Sequence, residues 1–225
     1  MGHFSVAVIT NHKPNKDTLF DILEPFHFSD CEEYYELEKF DYWEIGGRWE
    51  NLFTTKQKES VNTCLIRELD FESAEAQATS LANQQYDLFE RLLGDKPKDW
   101  ITLTEIFADA KIKNYQELNK EYREQETIMH IRSHPDFNDL FMMKGLSIDD
   151  FKIDREEYVK QKASLVFQCH NVLLENELWD DNSGWYGGDV SIFGVSKQVD
   201  DWNQIYKELL NKNKDNWITV IDCKN

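Results

Sequence analysis

The segment Asp41-Tyr42-Trp43-Glu44-Ile45-Gly46-Gly47-Arg48-Trp49 brings two indoles, a phenol, a glycine pair and a guanidinium into one short stretch. Each of these has a definite chemical use. Gly46 and Gly47 permit positive φ and close backbone approach, and successive N–H groups in such a turn can form a nest for an anion. Arg48 can grip a phosphate or carboxylate through two parallel hydrogen bonds, while Trp43 and Trp49 offer flat faces to a ring. The set predicts a site for a small nucleotide-like ligand. A purely structural reading competes with it, in which the glycines turn a hairpin, Arg48 pairs with Glu44 and the indoles fill a core.

A second loop, Asp180-Asp181-Asn182-Ser183-Gly184-Trp185-Tyr186-Gly187-Gly188, repeats the combination of glycine and indole. It makes Trp185, Gly187 and Gly188 candidates for a second wall of the ligand site. A secondary candidate lies at the chain ends, where His3, Asp222 and Cys223 meet if the terminal strands are neighbours and Asp222 orients the imidazole. Other chemistry finds less support. The six histidines show no HExxH spacing, and the four cysteines form no Cys-x-x-Cys pair. The acidic residues of the second loop lack the turn glycine spacing and closing Glu of a calcium loop. Cys169 and His170, if on a strand, point to opposite faces. No metal, cofactor or catalytic residue is therefore assigned, and capture without turnover is expected.

Charge narrows the partners. With 43 acidic against 25 basic residues the formal net charge is -18, a field that repels nucleic-acid backbones and anionic membranes. A small anion beside Arg48 escapes that field, because distant charges are screened beyond roughly 8 Å at physiological salt. The same acidity suits occupation of a basic site on a host protein, which is a separate functional reading. No long apolar run or basic, apolar leader stands out, and the scattered cysteines fit a reduced cytoplasm.

The elements that would position these residues begin and end with strands. Residues 4–9 and 217–223 are rich in β-branched and apolar side chains, as expected of strands covered on both faces. A short helix is predicted over 16–25, strands about the glycine pair between 42 and 53, and a strand restarting at 64–66. A long amphipathic helix over 73–93 opens a largely helical insertion or subdomain, 73–154, with further helical pieces at 102–108, 115–131 and 136–143. A strand is predicted over 163–169 with a hairpin partner near 178–179, then a helix capped by Asp200. The chain thus reads as one α+β domain, 1–225, whose mixed or antiparallel sheet holds both terminal strands.

Taken in order, Met1-x-His3-Phe4-x-Val6-x-Val8-Ile9, Pro25-Phe26-His27, Asp41-x-Trp43-x-Ile45-Gly46-Gly47-Arg48-Trp49, Asp70-Phe71, Gly184-Trp185 and Val220-x-Asp222-Cys223 resemble a family of uncharacterised bacteriophage and prophage proteins. Relatives often end Asp-Cys-His, whereas Lys224 stands here. The resemblance implies a viral setting in the host cytoplasm and no particular chemistry. Combined with the Gly-Gly-Arg-Trp reading, it points to an anti-defence protein that sequesters a nucleotide-like immune signal. A nucleotide-processing hydrolase and an acidic inhibitor of a basic host protein are the alternatives.

Overall fold

The first and last strands lie side by side along their whole length, and the sheet is assembled on that pair. The computed structural model describes residues 2–28, 39–109, 115–138, 146–177, 184–187, 189–191, 194–197 and 201–224. Strand β1 is His3–Thr10, followed by helix α1, Lys16–Leu23, whose first turn is closed by Asn15 accepting the Thr18 N–H at 2.8 Å. Pro25 then follows in a 3-10 turn, where its ring cannot continue the α-helix. Four short strands follow: β2 (Tyr42–Ile45), β3 (Phe53–Thr54), β4 (Ser60–Val61) and β5 (Thr63–Leu65). Helices α2 (Phe71–Leu93), α3 (Leu103–Asp109), α4 (Tyr115–Arg123), α5 (Glu126–Ser133) and α6 (Arg155–Ser164) come next. The chain returns through β6 (Asn171–Leu174), β7 (Trp185–Gly187), β8 (Asp189–Ser191) and β9 (Gly194–Lys197) to α7 (Trp202–Lys212) and β10 (Trp217–Lys224).

The fold is α+β, and its mixed sheet runs β2-β10-β1-β6-β7 with β5 also on β10. β1 and β10 pair antiparallel from His3↔Lys224 to Thr10↔Trp217, and β6 joins β1 in parallel. Two compact units result: residues 1–74 with 165–225, and Glu75–Ser164. The helical unit therefore extends through α6, beyond the limit near Asp154 read from the sequence. Its own core stacks Phe89 on Phe151 and Phe151 on Tyr158, and the Asp149 carboxylate accepts from Trp100, Tyr122 and the Leu103 N–H. No helix among the described residues is long and apolar enough to cross a membrane.

Several local expectations are corrected. Residues 163–169 form no strand: Ala163 and Ser164 end α6, and a turn follows in which Gln168 N–H reaches Leu165 O and Phe167 takes φ 60. The strand starts two residues later, at Asn171. The helix expected over 115–131 breaks between α4 and α5. The last helix is capped at Asp201, which is left-handed and makes no side-chain capping bond. Asp200, the partner expected near 178–179, and the end of the helix expected over 136–143 lie outside the described residues.

Alternation along β1 gives the sheet two different faces. Phe4, Val6 and Val8 join Leu173, Ile221 and Cys223 beneath Leu19, Ile22 and Leu23 of α1. Ala7 and Ile9 join Val172, Ile218 and Val220 beneath Trp202, Tyr206, Leu209 and Leu210 of α7. The α7 side chains recur at the three- and four-residue spacing that makes one helical stripe. This second face is apolar only over part of its length: from Ser5 toward His3 it becomes polar.

The edge of β10 explains the glycine pair. β5 pairs with residues 217–219 of β10 and β2 with residues 221–224, on one shared edge. At the junction Gly46 N–H donates to Val220 O and Val220 N–H donates to Asn62 O, both at 2.9 Å. The chain leaves β2 here by a tight turn with φ 76 at Gly46 and φ 51 at Gly47. A Cβ on Gly46 would lie 2.7 Å from the Asn62 side chain, and one on Gly47 would lie 2.5 Å from Asp222. Gly47→Ala combines a left-handed backbone with a steric conflict and is expected to cost about 2–4 kcal/mol of stability. Urea denaturation followed by tryptophan fluorescence measures this, and an unchanged midpoint would refute the account of the turn.

Candidate functional site

The polar end of the α7-side face is organised by Asp222. Its residue is 2% exposed, and it faces Ser5 and Glu44 across the two neighbouring strands. One carboxylate oxygen meets His3 Nδ1 at 2.9 Å, and the other accepts the Arg48 N–H at 3.0 Å. A carboxylate only accepts, so Nδ1 of neutral His3 carries the proton and Nε2 keeps its lone pair. His3 remains partly exposed, with 19% of its side chain accessible. This is an oriented imidazole of the kind used to bind or move a proton.

A second histidine is held in the opposite sense. The Ser5 N–H donates to His170 Nδ1 at 3.0 Å, which makes Nδ1 an acceptor and assigns the ring proton to Nε2. The Ser5 hydroxyl lies 2.8 Å from the same nitrogen and its oxygen accepts the His170 backbone N–H at 3.1 Å. Ser5 and His170 are close enough for a nucleophile and base, but Ser5 is fully buried and its contacts lock the ring in place. Trp49 meets the His170 ring edge to face, with centroids 5.6 Å apart. Burial holds the His170 pKa below its ordinary value.

The predicted residues separate into two groups. Trp49, His3 and Asp222 share the polar end of the α7-side face, and Arg48 is tied to it through its backbone N–H. Trp43 and Trp185 instead pack on the α1-side cluster, where Trp185 lies 5.0 Å from the Phe26 ring. They cannot form two walls around Arg48, because Trp43 is opposite Cys223 and Trp185 opposite Leu173, both α1-side positions. Cys223 likewise points away from His3, and burial above all, with the Asp222 charge second, pushes its thiol pKa well up. Gly187 adopts φ 130, and a Cβ there would lie 2.6 Å from His170 O, so it serves strand packing. Gly188 lies outside the described residues.

The glycine turn is not an open anion nest. Gly46 N–H is taken by Val220 O, Arg48 N–H by Asp222, and Trp49 N–H by Gly46 O. The Arg48 side chain is different: it is exposed and, unlike Arg67, Arg91 and Arg155, makes no ion pair among the described residues. The expected pairing with Glu44 is thus absent. Ser5, Asn62 and His170 were not found from sequence as site residues; alternation of His3 and Ser5 on one strand was the available signal. Among the described residues no three His, Cys, Asp or Glu side chains gather as metal ligands.

No protein-family model, curated protein or solved structure matches this chain.

The buried histidine has a consequence for stability. In the unfolded chain His170 takes up a proton as pH falls below about 6.5, whereas the folded chain resists protonation there. The unfolded state then binds more protons, so the stability contribution is complete above about pH 6.5 and is lost as pH falls through the lower folded-state value. His170→Asn, which keeps an acceptor near Ser5 but cannot titrate, is expected to lose part of the acid-side fall in stability. Urea midpoints at pH 7.5 and 5.5 check this, and an identical fall in both proteins would contradict it.

Proposed function

We propose that this chain captures a small nucleotide-like anion at the polar end of the α7-side face, with Arg48 as its anion contact and Trp49 as its ring contact. The observation carrying this reading is the exposed Arg48 guanidinium, which makes no ion pair among the described residues, on a turn fixed by Asp222 and Asn62. The chain beside it supplies Trp49, and Asp222 also orients His3. The resemblance to phage and prophage proteins supplies a setting in which capture sequesters a nucleotide signal of bacterial immunity. A second reading, nucleotide processing, is favoured by His3 and Asp222, since the His3 Nε2 lone pair can accept a proton from an attacking water.

Thermal-shift measurements against mono-, di- and cyclic nucleotides test capture. Arg48→Ala is expected to weaken binding by about 1.5–3 kcal/mol through loss of a charge-assisted hydrogen bond. No stabilisation by any nucleotide would refute the reading. Mass spectrometry of ligand released by heat separates the two versions: intact ligand supports sequestration, and conversion that disappears in His3→Ala supports processing.

A further inference from the structure

Beside His170 the first unit contains an open cleft of about 520 Å³, lined among others by Leu165, Gln168, Asp201, Trp202 and Asn203. Its volume falls within the range of small-molecule sites, roughly 300–1,000 Å³. Among the described residues no Lys or Arg lines it. Its polar groups are one carboxylate, two carboxamides and the His170 imidazole, a combination suited to a neutral hydrogen-bonding ring and unsuited to phosphate.

Gln168, Asp201 and Asn203 form no side-chain hydrogen bond or ion pair among the described residues. Leu165 is 47% exposed at the rim, while the largely buried Trp202 is fixed by its indole N–H donating to Cys169 O at 2.9 Å. Two non-glycine residues at the cleft have left-handed backbone, Phe167 beside Gln168 and Asp201 itself. The aromatic Phe167 is held there by Tyr206 O–H donating to its carbonyl at 2.7 Å and by ring contacts with Phe53 and Phe71. Strained backbone of this kind persists where its surroundings over-determine it, and it clusters at ligand sites.

The cleft is also connected to the anion contact. Arg48 precedes Trp49, the Trp49 ring meets His170, and His170 lines the cleft. We propose that this cleft seats a purine ring bearing an exocyclic amino group, and that the ring's phosphate is held by Arg48; the second part rests on the reading of Arg48 given above. Asp201 can only accept, so it selects a ring edge that presents N–H groups. Guanine offers a ring N–H and an amino group side by side. The carboxamides of Gln168 and Asn203 can each donate and accept toward its remaining polar atoms, between the apolar surfaces of Leu165 and Trp202.

Isothermal titration of the full chain with guanosine, ribose 5-phosphate, guanosine monophosphate and inosine monophosphate tests this. Guanosine monophosphate is expected to bind about tenfold or more tighter than ribose 5-phosphate, as one well-paired base edge allows. Inosine monophosphate, lacking the amino group, should lose most of that advantage. Asp201→Asn, which suits the left-handed backbone, and Asn203→Ala should abolish it while leaving ribose 5-phosphate binding unchanged. Equal binding of all three phosphates overturns the ring site, as does loss of ribose 5-phosphate binding in those two variants. Guanosine binding without ribose 5-phosphate binding upholds the cleft and overturns the role of Arg48; failure of all four probes overturns both.

Discussion

The buried carboxylate of Asp222 is the constraint on which this end of the molecule depends. It lies on the last strand, takes a hydrogen bond from His3 on the first, and takes another from the turn that leaves β2. A buried carboxylate with both oxygens engaged is tolerated, whereas loss of either partner leaves an imperfectly solvated charge. Close approach by Asp222 also excludes a side chain at position 47, so a charge, a backbone turn and the pairing of the two chain ends are coupled. Arg48 gains its fixed position as a consequence of that coupling, through its N–H and not through its guanidinium.

Joining the chain ends makes the large helical unit inexpensive. Loop-closure entropy grows only logarithmically with length, so each doubling of the intervening chain costs roughly 0.6 kcal/mol. Extensive apolar burial on both faces of β1 and β10 outweighs that increment, since each fully buried large apolar side chain contributes about 1.5–3 kcal/mol. The helical unit in turn has a separate aromatic core around Phe89, Phe151 and Tyr158. Its packing therefore does not draw on the sheet residues that hold Asp222.

The same sheet separates chemistry from inert packing. His3 and His170 share one region but have opposite tautomers, because one Nδ1 faces a carboxylate and the other faces a backbone N–H. The three thiols among the described residues take no comparable part. Burial pushes Cys64 and Cys169 up to about 12 and raises Cys223 well above its ordinary value. Ser5 and these cysteines thus fill protected positions, while His3, Arg48 and Trp49 stay at least partly exposed.

The strand character of both chain ends is legible from sequence, because apolar side chains on consecutive residues require two covered faces. The sequence also marked α1 and α2 by helical spacing, and singled out Gly46-Gly47-Arg48-Trp49. With the end strands as neighbours, His3, Asp222 and Cys223 follow as one group. The tertiary structure alone decided that Cys223 faces away, that Trp43 and Trp49 lie on different faces, and that the glycines admit Asp222 and Asn62 instead of an anion. It also replaced the expected strand over 163–169 with a helix end and a left-handed turn at Phe167. Local pattern records how apolar a residue is and how often such residues recur; strand register, side-chain parity after a turn and the identity of a close neighbour are set by contacts between residues as far apart as His3 and Asp222.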